Sequence, residues 1–198
     1  RLLEVIMIKT YNMKQEYTYW LALANAENIY TRRKNEILAK IHEDNSSLAH
    51  FFTEENNWKS SFDLSQDEIQ SLLQEKEKLN NYSFIVEDLL EQGYQIIPIF
   101  SSDYPKTLKR NLKFSSPILL YAYGNIELLN KESVAIVGSR KCSEAGFKIA
   151  KKFSRDLSEY GLNIISGMAV GIDSAAHLGC LETNGKTILY DGRTGEPF

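Results

Sequence analysis

From residue 133 to residue 190 the chain alternates short apolar runs with helix-period stretches: a strand at 134–137, a helix at 143–160, a strand at 162–165, a helix at 172–182 and a strand at 187–190. Strands separated by helices through short connections run parallel and are joined by right-handed crossovers, as in a doubly wound sheet. The expected fold class is α/β, with about half of such a sheet fitting before Phe198.

The stretch before this alternation differs in kind. All eleven glycines lie at or after Gly93, which places a domain boundary near residues 92–95. Residue 1 is Arg and Met13 opens the run MKQEYTYWLALA, so residues 1–12 are expected to be an extension, 13–92 a small all-helical module, and 93–198 the sheet domain. Apolar residues recur at helix spacing over 17–26 (Trp20, Leu21, Leu23, Ala24) and 32–41 (Ile37, Leu38, Ile41), and Ser46-Ser47 introduces a further run through Phe52. Ser65-Gln66-Asp67-Glu68 is a capping box that opens a helix at Gln66, and another helix over 83–91 is stopped by Gly93. Arg32, Arg33, Lys34 and Lys40 read as a solvated face. A strand at 94–100, a basic helix at 106–112 carrying Lys106, Lys109 and Arg110, a second strand at 118–123 and a helix capped by Asn125 complete the lead-in.

A formal net charge of -3 excludes a whole-chain polycation, so nucleic-acid contact requires a local basic patch. Cys142 and Cys180 make no disulfide framework and lack companions for a metal site. With no apolar run of about 18 residues and no signal-peptide core, the expectation is a cytoplasmic protein without a membrane span.

Two small-residue loops leave the carboxyl edge of the expected sheet, where parallel sheets bind ligands. Gly138 allows a tight turn, Ser139 offers a hydroxyl and exposed amides, and Arg140 and Lys141 bring cationic groups into the loop itself. In the second loop, Gly167 and Gly171 admit a ligand close to the backbone, and the helix that follows directs its free N–H groups at the same space. The chemistry favoured is anion binding, with phosphate the expected ligand. Gly138 and Gly146 do not form G-x-G-x-x-G, and Gly185-Lys186-Thr187 has Cys180 where a phosphate loop needs its first glycine. Asp173 and His177 lie four residues apart on one helix, and read as a helix-start carboxylate and a hydrogen-bonded imidazole rather than an acid–base pair or metal site. No nucleophile, metal set or cofactor motif is evident. On the 143–160 helix, Gly146, Ile149, Ala150, Phe153, Leu157 and Tyr160 form the side expected to pack on the sheet, with Lys148, Lys151, Lys152 and Arg155 solvated.

The stretch VAIVGSRKCSEAGFKIAKKFSRDLSEYGLNIISGMAVGIDSAAHLGCLETNGKTI resembles the DNA-processing protein A (DprA/Smf) family, whose signature is a G-S-R turn followed by S-G-[LM]-A-x-G-I-D-x-x-A-H. The segment DYPKTLKRNLKFSSPILLYAYGNIELL is similar to the family's lead-in, and together they cover about residues 93–188. The resemblance implies a Rossmann-like domain that binds single-stranded DNA, protects incoming strands during natural transformation and helps load the RecA recombinase, with no catalytic turnover. Carried over by motif, the ligand-facing positions are Gly138, Ser139 and Arg140 in the first loop and Ser166, Gly167, Met168, Gly171 and Asp173 in the second.

Some family members carry a basic residue where this chain has Val170, and residues 27–36 lack the glycine hairpin of helix-hairpin-helix DNA binding. The family's domain continues beyond Thr187 to supply the rest of the sheet and dimer contacts. The last residues, GKTILYDGRTGEPF, resemble a segment of the bacterial RNA polymerase beta subunit, so truncation or fusion at 185–187 is expected, with a disordered tail over 191–198. The competing functions are a nucleotide-binding or nucleotide-hydrolysing enzyme using the same sheet edge, and a fragment without independent activity.

Overall fold

The structure, a computed structural model, describes residues 2–192, with side chains from Met13 onward. The expected disordered tail falls mostly on residues 193–198, outside the described residues. The chain forms two compact units that divide between Gly124 and Asn125.

The first unit opens with six helices: α1 (Leu2–Asn25), α2 (Thr31–Glu43), α3 (Leu48–Thr53), α4 (Asn57–Phe62), α5 (Gln66–Glu77) and α6 (Leu79–Glu91). Local chemistry sets several of their starts. The Ser47 hydroxyl accepts from the His50 amide to begin α3, and at α5 the Glu68 amide donates to the Ser65 hydroxyl while the Ser65 amide donates to the Glu68 carboxylate. Gly93, at φ +86°, ends the last helix. Trp20, Leu23, Ile37, Leu38, Phe51, Phe52, Trp58 and Leu72 make the core.

Of the basic residues of α2, Arg32 is solvated and pairs with Glu36 on its own helix, whereas Arg33, Lys34 and Lys40 are turned toward other elements. Arg33 donates to the carbonyl oxygens of Phe62 and Asp63 and pairs with Glu68. Lys34 is half-buried and donates to the carbonyl of Ala24 at 2.5 Å. Lys40 lies over the Phe62 ring. They tie α2 to its neighbours because the α1–α2 and α4–α5 connections leave carbonyls with no helical partner.

Strands β1 (Tyr94–Pro98) and β2 (Leu119–Tyr123) pair antiparallel, flanking the short α7 (Lys106–Leu112). They belong to the helical unit, so the compact units part beyond the onset of glycine near 92–95. The reason is packing: β1 lies against α6, and the buried Asn35 side chain of α2 reaches the carbonyl oxygens of Phe114 and Ser116.

The second unit contains β3 (Ser133–Ala135), α8 (Glu144–Glu159), β4 (Asn163–Ser166), α9 (Ile172–Leu181) and β5 (Thr187–Leu189). The strands lie in the order β3-β4-β5, all parallel, with Val134 beside Ile164 and Ile164 beside Thr187. Ile164, Ala176 and Cys180 form its core, with Ile136 and Leu157 packed against them. Both crossover helices therefore cover the face that Ile164 presents, and the described residues build one half of a doubly wound arrangement.

The α8 helix seats itself differently from its apolar pattern. Its buried stripe is Ala150, Ser154 and Ser158, while Ile149, Phe153 and Tyr160 are exposed. Helix α9 displaces them: a Cβ at Gly179 would come within 2.1 Å of the Lys151 carbonyl oxygen, and the Ser154 hydroxyl donates to the Ala176 carbonyl at 2.5 Å. So close an approach admits only small side chains, and the two helices meet along that small stripe rather than along the bulky one. The cationic side chains of α8 all have acidic partners: Lys148 with Glu144, Lys151 with Glu182, Lys152 with Asp156, and Arg155 with Asp156.

Candidate functional site

The first loop follows β3, whose direction continues one residue further through the Ile136 amide on the Ile165 carbonyl. It runs through Gly138, Ser139, Arg140 and Lys141 and ends where the Ser143 hydroxyl caps α8 by accepting from the Gly146 amide. The second loop follows β4, from Ser166 through Gly171 into α9. The parallel pairing puts both loops at the carboxyl edge of adjacent strands, and Ser166 fastens the strands there by donating its hydroxyl to the Ile136 carbonyl at 2.6 Å.

The loops interlock. Gly171 has φ +90°, and a Cβ there would lie 2.3 Å from the Ser139 carbonyl oxygen and 2.8 Å from that of Arg140. The Ile172 amide donates to the same Ser139 carbonyl at 3.3 Å. A Cβ at Gly138 would fall within 3 Å of the Ile172 side chain. The glycines in these two signatures thus make room for one loop against the other.

Asp173 is buried beneath this junction. Its carboxylate accepts from the Gly138 amide at 3.3 Å, and its other oxygen lies where a Cβ on Gly167 would approach to 2.7 Å. Placed in the first turn of α9, it also meets the positive end of the helix dipole. Asp173 is therefore a brace between loops, with its charge turned inward, and Ser166 is likewise buried. Gly138, Ser139, Arg140, Lys141 and Met168 are exposed, and Gly167 and Gly171 are half-buried.

The electrostatics are local. Arg140 and Lys141 have no acidic partner among the described residues, in contrast to the paired cations of α8. The Lys141 amide donates to the Ser139 hydroxyl at 3.1 Å, closing a tight turn that presents both side chains. The amides of Met168 and Val170 donate to no acceptor among the described residues. Cations on a turn beside unpaired main-chain donors suit a ligand rich in anionic oxygen.

Two further α9 side chains complete the site. His177 bridges the second loop and β5, with Nε2 2.8 Å from the Gly167 carbonyl oxygen and Nδ1 2.7 Å from the Thr187 hydroxyl. Ser174 donates to the Ala169 carbonyl at 2.8 Å. Ser174 carries no signature of its own in the sequence; its place in the first turn of α9, beside Asp173 and one turn before His177, is the available signal. Among the described residues no group of three or more His, Cys, Asp or Glu side chains is placed to hold a metal ion, and no helix is long and apolar enough to cross a membrane.

Comparison with known proteins agrees with this architecture. The DNA processing protein DprA of Streptococcus pneumoniae is 40% identical over 117 residues, covering 58% of this chain and 40% of its own length. The protein Smf of Synechocystis is 30% identical over 188 residues, which is 89% of this chain and 44% of the relative. The X-ray structure of DNA processing protein A from Streptococcus pneumoniae superposes with a TM-score of 0.69 at 26% identity, over 87% of this chain and 56% of that one. The chain thus spans about half the length, or less, of the relatives it matches. The family described as DNA recombination-mediator protein A matches residues 95–193, a range that contains both interlocked loops and the whole three-stranded sheet, and the chain belongs to that family.

Proposed function

We propose that the interlocked loops bind single-stranded DNA through its phosphates, as part of DNA processing in natural transformation. The observation that carries this reading is the pairing pattern of the cations: those of α8 are all matched by acids, whereas Arg140 and Lys141, at the sheet edge, are exposed and unmatched among the described residues. Beside them, the unpaired amides of Met168 and Val170 add neutral donors suited to a phosphate oxygen. Contacts of this kind hold a backbone without reading its sequence, which is what a protein handling strands of any sequence requires. The DNA-processing names of the relatives support the polymer. In the whole protein the bound strand is protected and passed to the RecA recombinase by a homodimer, and the site acts by binding rather than by turnover.

Fluorescence anisotropy with labelled oligo-dT tests the reading. Binding should weaken steeply with salt and fall on Arg140→Ala. Binding that is absent, insensitive to salt, or unchanged by that substitution would overturn it.

A further inference from the structure

We propose that His177 and Ser174 are positioning residues of the second loop, which aim the amides of Met168 and Val170 at a phosphate oxygen by holding the preceding carbonyls inward. The inference rests on the reading of this edge as a phosphate-binding site and supplies the means by which the loop is set for it.

The geometry follows from the planarity of the peptide. In a trans peptide the C=O and the following N–H point in opposite directions, and the described residues contain no cis peptide. His177 Nε2 lies 2.8 Å from the Gly167 carbonyl oxygen, so that carbonyl points to α9 and the Met168 amide points away from it. The Ser174 hydroxyl holds the Ala169 carbonyl at 2.8 Å, which turns the Val170 amide outward in the same manner. Met168 is 74% and Val170 68% exposed, and neither amide has an acceptor among the described residues. Alternate peptides of the loop are thus pinned by side chains one turn apart on a single helix, and their donors face solvent together.

The hydrogen bonding also fixes how His177 carries its proton. A carbonyl oxygen only accepts, so Nε2 must bear hydrogen to face Gly167. On the other side of the ring, the Thr187 hydroxyl stands 2.7 Å from Nδ1 and 3.0 Å from the Ile164 carbonyl oxygen. Thr187 donates to Nδ1 when the ring is neutral, and accepts from it while donating to Ile164 when the ring is charged. The Nε2–H bond to the loop persists in both forms, so the clamp does not depend on the charge of the imidazole.

The test combines a spectroscopic reading of the full chain with substitutions. In the ligand-free protein, the imidazole 15N shifts of His177 should report hydrogen on Nε2, and the Nδ1–H tautomer would overturn the clamp. Titration with inorganic phosphate should move the Met168 and Val170 amide resonances before those of α8, and amides that stay fixed at saturating phosphate would overturn the aim assigned to them. With labelled oligo-dT, His177→Leu should bind about tenfold more weakly, as expected for donors left without their support. His177→Gln, which restores a donor to the Gly167 carbonyl, should bind within about twofold of the unsubstituted chain. Ser174→Ala gives a second route that spares the core, with an expected loss of about fivefold and an unchanged melt. Equal binding by folded His177→Leu and Ser174→Ala proteins would sink the inference. If the unsubstituted chain binds phosphate but not oligo-dT, the DNA reading fails by itself, and the tautomer and amide shifts still decide the clamp.

Discussion

Gly171 sits against the carbonyl oxygen of Ser139 with no space for a side chain: a Cβ there would lie 2.3 Å from that oxygen. The contact joins two loops 32 positions apart in sequence at their closest point, and the backbone of Gly171 is at φ +90° and ψ -127°, a region all but closed to other residues. Gly171→Ala should therefore cost about 2 kcal/mol or more from backbone strain alone and push the loops apart. The expected outcome is a lowered thermal midpoint by circular dichroism together with loss of oligo-dT binding; a variant that melts and binds like the parent would show that the loops are not locked.

Gly179 tests the helix pair that carries this junction. A Cβ at that position would meet the Lys151 carbonyl at 2.1 Å, and backbone atoms cannot turn aside as a side chain can. Although alanine favours a helix over glycine by about 1 kcal/mol, Gly179→Ala should destabilise by about 1–3 kcal/mol, because α8 must move off α9. Urea unfolding measures the difference. The opposite sign, a gain in stability, would mean that the helices have room between them.

Salt dependence separates the two sets of lysines. Each phosphate contact on a single strand contributes about 0.7 to the slope of log affinity against log salt. Lys141→Ala should lower that slope by about one such step, whereas Lys152→Ala, which removes a cation matched by Asp156, should leave it unchanged. Equal effects of the two substitutions in anisotropy titrations would argue against a site confined to the loops.

The helical unit carries its own pH dependence. Burial lowers the Lys34 amine from 10.5 to about 8, against the opposing pull of the Glu75 carboxylate. The unfolded chain then binds more protons than the native one between pH 8 and 10.5, so stability from this group rises with pH across that window and is absent below it. The phenols act in the other direction. Burial pushes Tyr121 from 10.0 up to about 12, and burial together with its hydrogen bond to Glu75 raises Tyr82, so above pH 10 the unfolded state loses protons that the native state keeps and stability falls. Denaturant midpoints taken from pH 7.5 to 10 should rise, and Lys34→Met should flatten that rise. A midpoint falling steadily over the same range would contradict the burial of Lys34.

The legible parts of the fold were those decided within a few residues. Ser65 and Glu68 cap each other across three positions, and Ser143 and Asn125 accept from amides three and two residues ahead. The order of strands and helices around β4 followed from alternation in the same way. What escaped the sequence was decided by partners far along the chain. The stripe Ile149, Phe153 and Tyr160 satisfies helix amphipathicity, but Gly179 and Ala176 make a closer seat for Ala150 and Ser154. Arg33 and Lys34 read as surface cations because the carbonyls of Phe62, Asp63 and Ala24 that receive them carry no signal in their residue types. At the site, Arg140 and Lys141 are exposed, while Asp173 faces inward: spacing places it at the start of α9 without saying on which side of the loops its carboxylate lies.

Because Asp173, Ser174 and His177 all issue from the first turns of α9, both loops are anchored to one rigid body that is itself packed on β4 and α8. Their conformational entropy is surrendered when the unit folds. A ligand meeting such an edge need not order it, so association proceeds without a slow rearrangement of the loops. The same anchoring ties the loops to the integrity of the sheet: loosening β5 at Thr187, which holds the far side of the His177 ring, reaches the second loop through that ring.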